Sequence, residues 1–126
     1  MVVRRRFERA EIVSDLKRAK HVSLATASAS GPPPAGNLAI PIFSSSSIEA
    51  EFYEPPGEDR QTPHTRDEIY VVAKGSGSFW DGEQTYEVGI GSFIFVPAGQ
   101  PHRFQDFTND FGVWVFFYGP EGGDAA

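Results

Sequence analysis

Two histidines and one glutamate are the residues of this 126-residue chain best suited to chemistry. His64 precedes Glu68 by four positions, and His102 lies further along the chain. The sequence has no cysteine, which excludes disulfides, thiolate metal sites and cysteine nucleophiles. It also lacks a phosphate-binding P-loop, a dinucleotide fingerprint and a G-x-S-x-G elbow. Imidazole and carboxylate groups remain, and together they suit a transition metal ion.

His102 belongs to a stretch that runs from Gly91 to Asp106 in the form G-x5-P-x-G-x2-H-x3-D. The first glycine is placed to open a strand, and the Pro-x-Gly unit at residues 97–99 predicts a tight turn. His102 then begins the returning strand. Chance matches to the Gly and Pro positions alone are rare at ordinary usage of these residues.

This stretch resembles the second motif of the cupin family, G-x5-P-x-G-x2-H-x3-N, with Asp106 in place of the asparagine. An earlier stretch resembles the first cupin motif, G-x5-H-x-H-x3-E-x6-G, through His64, Glu68 and Gly75. It departs from that motif at two points: Thr62 stands where the first histidine belongs, and Gly57 lies one residue too close. The resemblance covers roughly residues 48–119.

The resemblance implies an all-β fold, the cupin double-stranded β-helix or jelly-roll barrel, with a metal held by His64, Glu68 and His102. Two imidazoles and a carboxylate suit a divalent transition metal (Fe, Mn, Zn, Ni or Co) and make up the facial triad of non-haem Fe(II) sites. Gln61 is a possible fourth ligand through its carbonyl oxygen if Pro63 bulges the strand, and Thr62 is a poorer candidate. The alternative is a degenerate cupin that has lost its metal.

Strand alternation predicts the lining of the pocket. If Glu68 points inward, Tyr70 and Val72 do so as well, and an inward His102 brings Phe104 with it. With Thr62 at the motif position, these side chains give walls that favour a small, partly apolar or aromatic ligand over a polyphosphate. No catalytic residue is assigned.

The elements that must position these residues are mostly strands. The apolar spacing predicts a helix over residues 7–20, followed by a Ser- and Pro-rich arm to residue 47. We therefore divide the chain into an arm, residues 1–47, and a barrel, residues 48–126. Within the arm, Val22–Thr26 and Leu38–Phe43 are expected to be extended. Antiparallel strands are predicted at Ile48–Tyr53, Glu68–Ala73, Ser78–Trp80, Gln84–Val88, Phe93–Val96, His102–Phe107 and Val113–Tyr118.

Two further expectations concern turns and packing. Asp81-Gly82 predicts a hairpin with a type I′ turn. In the strand Ile48–Tyr53, the apolar alternate residues should face inward and Glu49, Glu51 and Tyr53 outward. The core is expected to contain Phe52, Val72, Phe93, Phe95 and Val115.

Charge and hydropathy restrict the partners. Residues 1–21 hold seven basic against three acidic residues, and the remainder holds four against fourteen, for a net charge of −6. So acidic a body repels nucleic acid. No run has the length and apolarity of a membrane span, and no secretory signal is visible, so we expect a cytoplasmic protein. A homodimer is predicted, with the residues 1–47 arm across the partner barrel.

The function predicted from these observations is that of a metal-binding cupin acting on a small molecule. We expect an enzyme, either dioxygenase-like or a metal-assisted isomerase. The alternative is a non-catalytic small-molecule binding or sensing module, because the cupin fold supports both kinds of protein.

Overall fold

Eight short strands follow one another through most of the described chain. The computed structural model describes residues 17–124, which contain one short helix and these strands. The helix is α1 (Leu24–Ala29), and the strands are β1 (Ile40–Ser44), β2 (Ile48–Tyr53), β3 (Asp67–Lys74), β4 (Ser76–Trp80), β5 (Thr85–Gly89), β6 (Phe93–Val96), β7 (Arg103–Gln105) and β8 (Gly112–Tyr118). Every strand predicted from the sequence is present, with small shifts at its ends.

The strands form two antiparallel sheets. One has the order β1-β2-β8-β3-β6, and the other has the order β5-β4-β7. The eighth strand lies in the middle of the larger sheet, where it pairs with β2 on one side and β3 on the other. The all-β, antiparallel jelly-roll prediction is confirmed.

The two sheets face each other across an aromatic core. Tyr70 of β3 packs against Phe104 of β7 and Phe79 of β4, with ring centroids 4.9 and 6.2 Å apart. Tyr70 and Phe104 are buried, together with Val72 and Val115, as the alternation predicted. The packing of these rings joins the sheets and surrounds the candidate site.

The expectation that Phe93 and Phe95 belong to the core is wrong. Their exposed fractions are 65% and 49%. They lie on β6, an outer strand of the larger sheet, where alternation turns Val96 into the core and leaves the two phenylalanines on the outside. Aromatic content alone therefore did not identify the inner face of this strand.

The orientation predicted for β2 is also wrong. Phe52 is fully buried, but it packs with Ala27 of α1 and Ile40 of β1 in a separate cluster, outside the core between the sheets. Tyr53, on the opposite face of the strand, belongs to the core between the sheets. Both faces of β2 are covered, so the apolar face of this strand did not identify the face that points between the two sheets.

The described part of the arm packs on the chain's own barrel. Ser23 begins α1, where its hydroxyl oxygen accepts a hydrogen bond from the N–H of Thr26 at 3.1 Å. The extended conformation predicted for Val22–Thr26 is therefore wrong, while a strand near Leu38–Phe43 is confirmed by β1. Of the helix predicted over residues 7–20, residues 7–16 lie outside the described residues, and residues 17–20 form a turn and irregular backbone.

The β4–β5 hairpin is present, but its turn is not type I′. Trp80 pairs with Thr85, and within the turn between them the positive φ, +102°, occurs at Gly82 alone. A type I′ turn needs positive φ at both central residues. The Asp81 carboxylate accepts hydrogen bonds from the N–H groups of Glu83 and Gln84, at 2.9 and 2.8 Å.

No helix within residues 17–124 is long and apolar enough to cross a membrane.

Candidate functional site

Backbone hydrogen bonds hold the two sequence motifs side by side. The N–H of Gly99, in the predicted Pro-x-Gly turn, donates to the carbonyl oxygen of His64 at 2.6 Å. Gly99 has φ +80°, which a residue with a side chain rarely adopts. The N–H of Ala98 donates to the buried carboxylate of Asp67 at 2.9 Å. The turn before His102 is thus fixed against the segment that carries His64 and Glu68.

Asp106, which replaces the motif's asparagine, meets the backbone requirement of that position. Its φ is +50°, the one positive value for a residue other than glycine within residues 17–124. Asparagine and aspartate tolerate this left-handed conformation better than other side chains. The departure from the motif therefore leaves the local structure intact.

A buried cluster of Glu68, Tyr70 and His102 forms the centre of the site. His102 Nε2 lies 3.1 Å from Glu68 Oε1 and 2.9 Å from the Tyr70 hydroxyl oxygen. All three side chains are almost completely buried. The other ring nitrogen, Nδ1, lies 2.9 Å from the carbonyl oxygen of Gln100, which can only accept. Nδ1 therefore carries a proton, and Nε2 points into the cluster.

The surroundings shift the proton affinity of these groups. Burial alone lowers the pKa of His102, but the hydrogen bonds to Glu68 and to the Gln100 carbonyl outweigh burial and raise that pKa above its ordinary value. Burial raises the pKa of Tyr70 well above the ordinary value of a phenol, and the Glu68 charge adds to the shift. A proton is therefore favoured on both His102 and Tyr70.

His64 and Gln61 lie beside this cluster. Gln61 Oε1 is 3.0 Å from the Tyr70 hydroxyl and 3.5 Å from His64 Nε2. The His64 ring packs on Phe117 at a centroid distance of 4.5 Å, and its centroid is 6.3 Å from that of His102. Burial, partly opposed by the Glu68 charge, lowers the pKa of His64, which favours its neutral form.

The donors of the site fit a divalent transition metal. Glu68 Oε2 is buried and has no hydrogen-bond partner among the residues that the structure describes. An unpartnered carboxylate oxygen next to an imidazole nitrogen is the arrangement that a cation satisfies. Within residues 17–124, no three His, Asp or Glu side chains form a ready cluster for a metal ion, and the ring centroids of His64 and His102 are 6.3 Å apart. His64, Glu68, His102 and Gln61 are the residues that could hold the ion.

A cavity of about 620 Å³ reaches the site from one side. Gln61, Thr62 and His64 line it, whereas the predicted lining residues Tyr70 and Phe104 are buried beside it and do not. Most of its other walls are charged or apolar side chains: Glu49, Glu51, Glu121, Arg60, Arg66, Leu38, Ala39, Tyr53, Val115 and Phe117. Glu49 and Glu51 thus line this cavity, because the orientation of β2 is the reverse of the one predicted.

Asp59 is a residue of the site that the sequence did not reveal. It is buried, and its carboxylate accepts hydrogen bonds from Tyr53, Gln61 and Phe104. In the sequence it stands in a polar run beside Glu58 and Arg60, and nothing in that pattern separates it from exposed neighbours.

Two facing antiparallel sheets with imidazole and carboxylate groups buried between them define a jelly roll with an internal polar site. The chain belongs to the cupin family: Cupin_2, the cupin domain, matches residues 51–117, which are 67 of the 126 residues. The match contains both stretches singled out in the sequence.

Individual proteins similar to the chain include one curated relative and many solved structures. An uncharacterized protein of Streptomyces coelicolor is 41% identical over 63 residues, which are 50% of this chain and 60% of that protein. The DMSP lyase DddQ from Ruegeria pomeroyi is 27% identical with a TM-score of 0.51, over 61% of this chain and 40% of the lyase. The chain thus matches less than two thirds of either protein.

A third similarity concerns the fold alone. A cupin-2 domain containing protein from Shewanella frigidimarina has a TM-score of 0.60 at 13% identity, over 78% of this chain and 94% of that one. This structural likeness extends beyond the matched family region and includes most of the described strands.

Proposed function

We propose that this cupin binds a divalent transition metal and catalyses proton transfer on a small molecule, in an isomerisation or an elimination. The observation that carries the proposal is the buried contact of His102 with Glu68 and Tyr70, next to an unpartnered carboxylate oxygen. Buried acid–base groups with shifted pKa values are concentrated at catalytic sites. The similarity to a DMSP lyase supports the elimination branch.

His64, Glu68 and His102 are the proposed ligands, with Gln61 as the fourth. A bound ion supplies Lewis acidity, which polarises a carbonyl or carboxylate oxygen of the substrate and acidifies the neighbouring C–H bond. The Gln100 carbonyl accepts a hydrogen bond from Nδ1 of His102, so Nε2 is the ring nitrogen that faces the other proposed ligands.

Tyr70 is the residue that we assign to proton transfer. Its phenol is buried at the centre of the site, and its raised pKa makes the ionised oxygen a strong base. That oxygen takes the C–H proton of the substrate; in an isomerisation it returns the proton to another carbon, and in an elimination the electron pair of the C–H bond expels the leaving group. The hydroxyl contacts both His102 and Gln61, so its orientation is fixed before a substrate enters. Burial also excludes water from the proton-transfer step.

The cavity indicates the class of substrate. Three carboxylates and two guanidinium groups line it, and Arg66 is already bound to Glu49 and to the carbonyl oxygens of Ser47 and Gly119. The lining carries one more carboxylate than guanidinium group, and this net negative charge disfavours polyphosphates. We therefore expect a small polar molecule, with its apolar part against Tyr53 and Phe117.

A dioxygenase is the second candidate. Two histidines and one carboxylate are the ligand composition of non-haem Fe(II) oxygenases, and this observation favours O₂ chemistry independently of Tyr70.

Metal analysis and turnover of the same sample test the proposal. Protein purified without chelator should contain about one equivalent of Fe, Mn, Co, Ni or Zn. The protein is incubated in D₂O with DMSP and with a panel of small carboxylic acids, and proton NMR should show cleavage or deuterium exchange. Tyr70→Phe should abolish either reaction while it retains the metal.

O₂ consumption with no exchange would favour the dioxygenase. Ligand binding without turnover would indicate the non-catalytic module, and absence of metal would contradict the proposal.

A further inference from the structure

The two ends of the Gln61 amide have different neighbours: Nε2 lies 3.3 Å from Asp59 Oδ2, and Oε1 lies 3.0 Å from the Tyr70 hydroxyl. We propose that Asp59 is a positioning residue that turns the carbonyl oxygen of Gln61 toward the metal ligands. Gln61 then takes the place of the histidine missing at Thr62, as the fourth donor. This inference rests on the proposed metal site and adds to it a residue outside both sequence motifs.

The contacts of Asp59 account for both carboxylate oxygens. Oδ1 accepts from the Tyr53 hydroxyl at 2.8 Å and from the backbone N–H of Gln61 at 3.0 Å. Oδ2 accepts from the backbone N–H of Phe104 at 2.8 Å and from the Gln61 side-chain Nε2 at 3.3 Å. The carboxylate is buried, so the loss of any of these donors is not replaced by water. Asp59 therefore ties Gln61 to β2 and to β7, the strand that follows His102.

These contacts leave one orientation for the Gln61 amide. A backbone N–H can only donate, so each carboxylate oxygen of Asp59 is an acceptor, and the group of Gln61 that faces Asp59 must be its NH₂. The carbonyl oxygen Oε1 then faces the opposite way, at 3.0 Å from the Tyr70 hydroxyl and 3.5 Å from His64 Nε2. The orientation is set by hydrogen bonding on the far side of the side chain from the site.

The orientation decides whether Gln61 can act as a ligand. An amide oxygen donates electron density to a cation, whereas the amide NH₂ has only hydrogen-bond donors to offer. Thr62 occupies the motif position of the first histidine, yet its side chain is exposed. Gln61 is therefore the neutral oxygen donor that the structure places beside His64 and Tyr70.

Titration of the metal-free full chain with Co(II), followed by visible absorption, tests the role of Asp59. We expect Gln61→Leu and Asp59→Asn each to weaken Co(II) binding about 10–100-fold, the usual effect of losing a group that supports a metal ligand. Both should change the intensity of the Co(II) bands, because one donor fewer alters the coordination. Gln84→Leu is the matched control, because Gln84 is exposed in the β4–β5 turn and lies outside the cavity, and it should leave both affinity and spectrum unchanged.

The double variant distinguishes positioning from a general structural effect. If Asp59 acts through Gln61, Asp59→Asn in the Gln61→Leu background should weaken Co(II) binding no further, although thermal stability still falls. Fully additive losses of affinity would overturn the positioning role. If Asp59→Asn does not fold, Gln61→Leu decides alone: unchanged Co(II) affinity and spectrum would overturn the inference.

The wild-type titration separates this inference from the proposed function. If Gln61→Leu and Asp59→Asn both bind Co(II) with wild-type affinity, this inference is overturned, whereas the proposed metal site is not. A wild-type chain that binds no Co(II) overturns both.

Discussion

Replacing Glu68 with glutamine tests the carboxylate at the centre of the site. The substitution keeps the shape of the side chain but removes the negative charge that faces His102 Nε2 at 3.1 Å. Losses of groups that only support a ligand already cost 10–100-fold in metal affinity, so the loss of a direct carboxylate ligand should cost about 100-fold or more.

The expected change can be expressed as a thermal shift. At a metal concentration of about 100 times the wild-type Kd, binding stabilises the protein by ~2.7 kcal/mol, which raises Tm by roughly 10 °C for a domain of this size. At the same concentration, a variant with a 100-fold weaker Kd gains only ~0.4 kcal/mol, or about 1–2 °C.

The metal-free fold should tolerate the change. A hydrogen bond involving a charged group contributes about 1.5–3 kcal/mol, and an unsatisfied buried polar group costs about 1–3 kcal/mol. Glu68→Gln exchanges the charged hydrogen bond to His102 for a neutral one and leaves a buried amide atom without a partner in place of Oε2, so we expect a loss of about 1–2 kcal/mol, which a domain of ordinary stability survives.

Metal stoichiometry and thermal melts, with and without metal, measure these effects on one preparation. Glu83→Gln is the matched control, because Glu83 is exposed in the β4–β5 turn and the substitution should leave the metal-induced shift at its wild-type value. A Glu68→Gln variant that keeps the full shift and full metal content would refute the ligand assignment.

Three further predictions concern the pH dependence of stability, the oligomeric state and the backbone conformation of Asp106. Because the pKa of His102 is raised, its protonated form stabilises the metal-free fold below about pH 6.5, and this stability should be lost as pH rises through the folded-state pKa. Metal binding should strengthen over the same interval, since Nε2 must lose its proton, and melts of both forms between pH 6 and 9 should show opposite slopes; parallel slopes would contradict the assignment. Light scattering should give twice the 13.8 kDa mass of one chain at micromolar concentration, whereas a monomer would contradict the predicted homodimer. Asp106→Ala should lower stability by roughly 1 kcal/mol because of its positive φ, and Asp106→Gly should not; equal Tm values for the two variants would show that the backbone tolerates alanine.

The sequence predicted those features that depend on local chemistry. The glycine and proline residues before His102 indicated a turn, and the structure has that turn, fixed by the hydrogen bond from Gly99 to His64. The alternation of residues along β3 indicated that Glu68 and Tyr70 point inward, and both are buried. Such features are predictable because the backbone conformation of a turn and the two faces of a strand are properties of a few neighbouring residues.

Features set by distant packing were not predictable. Alternation in β2 distinguished two faces, but it could not show that α1 would cover Phe52 and leave Tyr53 to the interior. Asp59 acquires its role only when β2 and β7 bring Tyr53 and Phe104 to it. The site thus depends on contacts between residues far apart in sequence, which no local pattern records.

The central position of β8 has a consequence for the order of folding. This strand is the last to leave the ribosome among those described, yet it is the strand that joins β2 to β3 within the larger sheet. Until Gly112–Tyr118 is available, β1-β2 and β3-β6 remain separate pairs, each with an unpaired inner edge. Pairing between strands far apart in sequence is slow, and until it is complete the unpaired strand edges are exposed and prone to aggregation. Assembly of the larger sheet therefore waits for the synthesis of β8, and a chain interrupted before Gly112 would be a target for aggregation or proteolysis instead of a smaller working domain.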